Sequence, residues 1–324
     1  MNAHSIPQEP PVNGTNNGSR PNWAPILGQW EITETSQIFR GEGQNADAHG
    51  QSFAIGLAVS NVAMQNGMCR VKMRFSAPFR DSAQAGGIVL GYRSPEQHYI
   101  FAQLGAARSA YSVGEYVSGF GWRPLASTGQ LENLKSDREY MLQVNLSGQE
   151  LRVLVDSVPV IQHLLAHPLE GRQVGVIAAG NQQVSFSDFA VTSSRPKAFV
   201  VMQFAEPYDT FYQEVIQKQA AAAGFDVVRI DEKPGPGIIF QDIQREIEQA
   251  EIVIAEITPA NPNVFYELGY AHALKKPTIL LARRESELPF DIQSFRVVFY
   301  NDTIGGKVEV ERNLRRHLEA IAGR

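Results

Sequence analysis

Ala198-Phe199-Val200-Val201-Met202 is an uninterrupted apolar run set between Lys197 and Gln203. A strand that reads this way is covered on both faces, as the strands of parallel sheets are. The next segment has a helical period. Phe211, Val215, Ile216, Ala220 and Ala223 share one face of a helix over about 209–223, and Gly224 supplies its C-terminal stop. The alternation then repeats. Strands at 225–230, 252–255, 278–282 and near 296–300 are separated by helical segments. The second helix places Phe240, Ile243, Ile247 and Ala250 on its inner face, the third runs from about 264 to 275, and the last is marked by Val310, Leu314, Leu318 and Ile321. Alternating β and α elements predict a five-stranded, doubly wound parallel sheet in flavodoxin-like order 2-1-3-4-5.

Upstream of this unit the period changes. Ser193-Ser194-Arg195-Pro196 reads as a linker, and from about Gln29 to Thr192 the dominant period is two. Val71, Met73 and Phe75 form one face of a strand whose other face is Arg70, Lys72 and Arg74. The same alternation runs through Tyr140-Leu142-Val144-Leu146 and Leu151-Val153-Val155, joined by a hairpin turn at Ser147-Gly148-Gln149. Short strands returning every 8–12 residues or so are the signature of an antiparallel sandwich. Residues 1–22 are rich in Asn, Gly, Pro and Ser without an apolar period, and predict a disordered tail. The expected organisation is a tail at 1–22, an all-β sandwich at 23–194 and an α/β domain at 195–324.

Composition narrows the function classes. The chain has 324 residues, 43% of them hydrophobic and 19% charged, and a net charge of −5. That is the make-up of an ordinary globular protein long enough for two domains. No block of Lys and Arg is present, so nucleic acid is not expected as a partner. Cys69 is the single cysteine, which excludes an intramolecular disulfide and a Cys-rich metal site. His49, His98, His163 and His167 lack metal-ligand spacing, so no metal and no resident cofactor are expected. The first residues carry no signal-peptide pattern and no run approaches a bilayer span, which predicts a cytoplasmic protein without a membrane partner.

In a 2-1-3 strand order the crevice between the carboxyl ends of the first and third strands is the ligand site. Met202-Gln203-Phe204 leaves the first strand there, and Glu256 to Glu267 leaves the third. Pro262 stiffens that second segment and Asn263 can cap the following helix. Glu267 is expected in or just past the first helical turn, where the positive dipole end would keep its carboxylate ionised. Gly269 would let the helix pack closely on the sheet. A carboxylate over an open crevice can attack an anomeric carbon or stabilise an oxocarbenium ion.

With Asn261-Pro262-Asn263 and Tyr266-Glu267-Leu268-Gly269-Tyr270-Ala271 in place, the α/β domain resembles the nucleoside 2-deoxyribosyltransferase superfamily, which shares its architecture with TIR-type NAD-cleaving domains. The resemblance implies that Glu267 is the nucleophile and that an upstream helical aspartate, matched by Asp242, takes part in catalysis. The family's base-contacting aspartate falls at Asn261, a departure that puts classical base exchange in doubt. The fusion to a binding module suggests, by analogy, a regulated bacterial effector in defence. The sandwich resembles concanavalin A-like lectin/glucanase (LamG-like) jelly rolls, through Gly175-Val176-Ile177-Ala178-Ala179-Gly180 and Val184-Ser185-Phe186-Ser187-Asp188-Phe189. Its acidic residues Glu31, Glu34, Asp81, Glu96 and Glu115 are scattered rather than paired, so a glycan- or protein-binding module is expected in place of a glycosidase.

The functional expectation is therefore a hydrolase or transferase cleaving the N-glycosidic bond of a nucleoside, nucleotide or NAD, with NAD a substrate and not a cofactor. Expected substrate contacts are Met202, Gln203, Phe204, Arg229, Asp231, Asn261, Asn263 and Tyr266. Five of these have a plainer reading: Arg229 and Asp231 as an ion pair, Phe204 as core rim, Asn261 and Asn263 as loop and cap. His272 reads as packed, and Gly235-Pro236-Gly237 as a lid in place of a phosphate loop. The alternative function is a non-catalytic nucleotide sensor or TIR-like scaffold. Self-association into a homo-oligomer is expected from the open side of the crevice and from Leu288-Pro289-Phe290-Asp291.

Overall fold

The structure, a computed structural model, describes residues 21–41, 45–46, 52–79, 84–95, 97–106, 108–136, 138–232, 239–292 and 294–322. The tail expected at 1–22 lies outside these residues but for its last two, and the Gly235-Pro236-Gly237 lid lies wholly outside them.

Two seven-stranded antiparallel sheets form a jelly-roll sandwich. One carries, in spatial order, Trp23–Leu27, Ile55–Ala63, Gln173–Ala179, Ala85–Arg93, His98–Gly105, Ser109–Val117 and Gly121–Gln130. The other carries Val158–Leu164, Glu150–Val155, Glu139–Ser147, Gly67–Phe75, Val184–Ser193, Ser36–Phe39 and Trp30–Ile32. Period-two alternation decides which side chains meet between them. Cys69, Val71 and Met73 are buried in the shared core, opposite Val144, Leu142 and Tyr140 of the neighbouring strand, and Phe75 is buried with them. Lys72, one residue out of phase, faces outward to an ion pair with Asp188.

The sandwich's last strand ends at Ser193, and β1 (Lys197–Val201) begins the parallel sheet. It is followed by β2 (Asp226–Arg229), β3 (Ile252–Glu256), β4 (Thr278–Arg283) and β5 (Val297–Tyr300). Their spatial order is β2-β1-β3-β4-β5, all parallel, as the alternation of elements predicts. Helix α1 opens as Tyr208–Phe211, passes through a π-helical turn at Tyr212–Ile216 and continues as Gln217–Ala222. Helices α2 (Ile239–Gln249), α3 (Pro262–Ala273) and α4 (Ile304–Ala322) complete the unit. Two apolar cores flank the sheet. Ala198, Val200, Ile252 and Ile254 meet α1 and α4 on one face, and Phe199, Val201, Val253 and Ala255 meet α2 and α3 on the other. This two-sided burial is why the strands read as continuous apolar runs.

The two halves also touch. The turn at Ser147–Glu150 reaches the ends of α2 and α3, where Gln149 N donates to Glu248 O at 3.1 Å. The hairpin carries polar backbone and side-chain groups that find partners on the α/β unit. No described helix is long and apolar enough to cross a membrane.

Candidate active site

Because β1 pairs with β2 on one side and β3 on the other, the chain leaving β1 and the chain leaving β3 turn to opposite faces and open a crevice between them. A cavity of about 330 Å³ lies there. The β1 exit contributes Met202, Gln203 and Phe204, and Ile230 lines it from beyond β2. Phe240 and Ile243 enter from α2, while Asn261, Asn263, Val264, Tyr266 and Glu267 come from α3 and its cap.

The start of α3 is set by local chemistry. Asn261 is the N-cap in extended conformation, and its side-chain oxygen accepts from Asn263 N at 2.9 Å. Pro262 takes the first helical position, where a missing N–H is harmless. The capping residue is thus Asn261 and not Asn263, because the helix begins two residues earlier than its apolar period shows.

That shift moves Glu267 past the first turn, which holds no acidic residue. The helix dipole fades within one turn, so it does not hold the Glu267 carboxylate ionised. Burial acts instead, and pushes its pKa up from 4.5 to about 7. Among the described residues no hydrogen bond or ion pair is recorded to Glu267, and its carboxylate is the single one lining the cavity. Gly269 also departs from expectation. A side chain built there would meet nothing within 4 Å, so it lies on the exposed side of α3 and provides no close approach to the sheet.

Seven of the ten residues expected at the site line the cavity: Met202, Gln203, Phe204, Asn261, Asn263, Tyr266 and Glu267. Arg229, Asp231 and Asp242 do not. Arg229 is buried, donating from Nε and Nη2 to the Asp231 carboxylate at 2.7 and 2.6 Å and from Nη1 to Asp209 at 2.8 Å. Its guanidinium lies 4.3 Å from the Tyr212 ring centroid and 5.2 Å from that of Phe204. The arginine therefore acts as a shelf beneath Phe204. Asp242 is half-exposed on α2 and pairs with Arg245 at 3.7 Å. His272 is packed against Phe295, rings 4.4 Å apart, and shares a hydrogen bond with Thr278.

Phe240, Ile243, Ile230 and Val264 are cavity residues that the site motifs did not mark. The helical period did put Phe240 and Ile243 on one face of α2, but as inner-face core. Ile247 and Ala250 of that face are buried, whereas Phe240 is 43% exposed and lines the cavity. Its ring sits 5.6 Å from that of Tyr266. Phe204, Phe240 and Tyr266 thus give the cavity three exposed aromatic faces, with the amides of Gln203, Asn261 and Asn263 between them. Such a lining suits a planar heterocycle with hydrogen-bonding edges. Among the described residues no group of three or more His, Cys, Asp or Glu side chains is gathered to hold a metal ion.

No model of a known protein family matches the chain. Over 75 residues the chain is 33% identical to the 5-hydroxymethyl-dUMP N-hydrolase of Rattus norvegicus, a match taking in 23% of this chain and 46% of that protein. The chain thus spans about half the length of this relative. Among solved structures, the carbohydrate-binding module CBM66 from Bacillus subtilis is similar with a TM-score of 0.43 and 14% identity, over 53% of this chain and 95% of that one. A Bacillus licheniformis β-glucanase follows with a TM-score of 0.38 and 11% identity, over 56% and 95%. The TIR domain of the Toll-related receptor TRR-2 from Hydra magnipapillata has a TM-score of 0.32 and 18% identity, over 37% of this chain and 96% of that one.

Proposed function

We propose that the α/β unit cleaves the N-glycosidic bond of a nucleoside, a nucleotide or NAD, with Glu267 acting on the anomeric carbon. The observation that carries this reading is the isolated Glu267 carboxylate in an aromatic, amide-lined cavity at the β1/β3 crevice. A carboxylate with no partner among the described residues is available to a cation that develops beside it. As the bond from the anomeric carbon to the base nitrogen breaks, its electron pair leaves with the base, and positive charge spreads over the anomeric carbon and ring oxygen. Ionised Glu267 stabilises that charge or closes on the carbon as an ester. Water, or a second base in a transfer reaction, completes the exchange. The 75-residue likeness to an N-hydrolase supports the same chemistry.

A second reading, a nucleotide sensor without turnover, is favoured by Asn261. Its side-chain oxygen is committed to the helix cap, so that position supplies no carboxylate to handle the leaving base. One experiment separates the two. The chain is incubated with a panel of nucleosides, nucleotides and NAD, and free base is followed by chromatography for wild type and Glu267→Gln. Base release by wild type that the variant loses supports the enzyme, and saturable binding without release from any substrate overturns it in favour of the sensor.

A further inference from the structure

We propose that the sandwich turn at Ser147–Glu150 is a positioning element of the candidate site, holding the far ends of the two helices that line it. This rests on the cavity above being the functional site.

Turn residues of a hairpin ordinarily face water. Here Gln149 is fully buried. Its backbone N donates to Glu248 O in the last turn of α2 at 3.1 Å, and its Nε2 donates at 3.2 Å to Leu274 O, the carbonyl of the α3 C-cap. One sandwich residue therefore satisfies terminal carbonyls of both helices. Gly148 fits as closely. It has φ +56°, and a Cβ there would come within 2.6 Å of Gln249 O and 2.7 Å of Ala250 O. Around the turn, Gln249 Nε2 donates to Glu150 at 2.5 Å, and Gln65 Nε2 donates to Glu251 at 2.5 Å. The helix ends are also tied together: Tyr270 of α3 donates to the Glu248 carboxylate at 2.6 Å. Lys276 Nζ donates to Glu248 O at 2.6 Å and Ala250 O at 2.7 Å.

The N-terminal halves of these helices carry the cavity. Phe240 and Ile243 lie in the first half of α2, and Tyr266 and Glu267 in the first half of α3. Each helix is a rod roughly 16–18 Å long, by the 1.5 Å rise per residue. Close-packed rods move as units, so a displacement at the seam is delivered at the cavity. The turn thus sets the spacing of the Phe240 side of the cavity against the Glu267 side. A ligand or partner bound to the sandwich has a route to the site through it.

The test uses the full chain and hydrogen–deuterium exchange, with Gly148→Ala against Gly119→Ala. Gly119 also has positive φ, +83°, but a Cβ there meets nothing, so it reports the cost of the left-handed backbone alone. Gly148→Ala should speed exchange on the order of tenfold in segments 240–246 and 263–268. Gly119→Ala should leave both unchanged. Carbon-13 NMR of the Glu267 carboxyl should show its midpoint falling from about 7 as the cavity opens. Gln149→Asn, which keeps the turn but withdraws the donor from Leu274 O, gives the same reading should Gly148→Ala fail to fold. Changes confined to 147–150 and 248–251, with the Glu267 midpoint unmoved, overturn the proposal. Neither readout needs turnover. An absence of base release from wild type therefore counts against the proposed function and not against this coupling.

Discussion

Two carboxyl groups, Glu256 and Glu267, stand at the same end of the parallel sheet on opposite faces, and burial raises both to about 7. Their surroundings differ completely. Glu256 is closed in by β5 and the loop after β3, and accepts from Thr258 N at 3.1 Å, Thr258 Oγ1 at 2.5 Å and Tyr300 OH at 3.0 Å. Glu267 has no such partners among the described residues and opens onto the cavity. A perturbed pKa therefore does not mark a reactive group by itself. The hydrogen-bonded carboxyl anchors a loop, and the other lines the cavity.

Glu267→Gln gives the largest expected effect. It keeps shape and removes charge, so base release should fall by about 100- to 1,000-fold while KM changes little. Wild-type turnover in this variant would end the proposed role. Next is pH. In the proposed role ionised Glu267 is the active form, so kcat/KM should fall about tenfold per pH unit below about 7 and level off above it. A rate that instead rose as the pH dropped would make Glu267 a proton donor.

The contrast between the carboxyls also bears on what the sequence could disclose. The strand order was legible because residues 198–202 and 252–255 are apolar without a break. The position of Glu267 at the crevice was legible from its place after β3. Its ionisation was not, because the start of α3 depends on Asn261 capping Asn263 N, two residues ahead of the first apolar position. Arg229 and Asp231 looked equally able to meet substrate or each other. Only the approach of Asp209 from α1, distant in sequence, commits the arginine to the fold. Asp242 was assigned by motif, and its rotation toward Arg245 depends on how α2 sits on the sheet.

Stability should separate the two carboxyls by sign. Glu256→Ala leaves Thr258 N–H and the Thr258 and Tyr300 hydroxyls buried without an acceptor, and should cost about 3 kcal/mol in urea unfolding. For Glu267 the folded pKa lies above the ordinary value of 4.5. Its contribution is thus fully present below about 4.5 and lost as pH rises through about 7. Such a shift corresponds to roughly 3 kcal/mol, which partial solvent access cuts to roughly 1–2 kcal/mol. Glu267→Gln should therefore be more stable than wild type at pH 8, with the difference fading toward pH 4.5. An equal loss of stability in both variants would erase the distinction.

The smallest effect is expected at Phe204, where the comparison passes from charge to shape. Its ring is 47% exposed on the cavity side and rests on the Arg229 guanidinium, which Asp209, Asp231 and Tyr212 hold in place. A ring so supported loses little freedom when a base stacks on it. Base–aromatic stacking contributes about 1–3 kcal/mol, and the faces of Phe240 and Tyr266 remain to share the base. Phe204→Ala should therefore raise KM by about 3- to 10-fold, near the lower end of that range, and change kcat by less than about threefold. Phe204→Leu keeps bulk without the flat face and should fall between them. Both variants leave the charge around the Glu267 carboxyl unchanged, so the pH midpoint of kcat/KM should stay near 7. A KM that does not move would make Phe204 a rim residue and leave base recognition to the α2–α3 pair of rings.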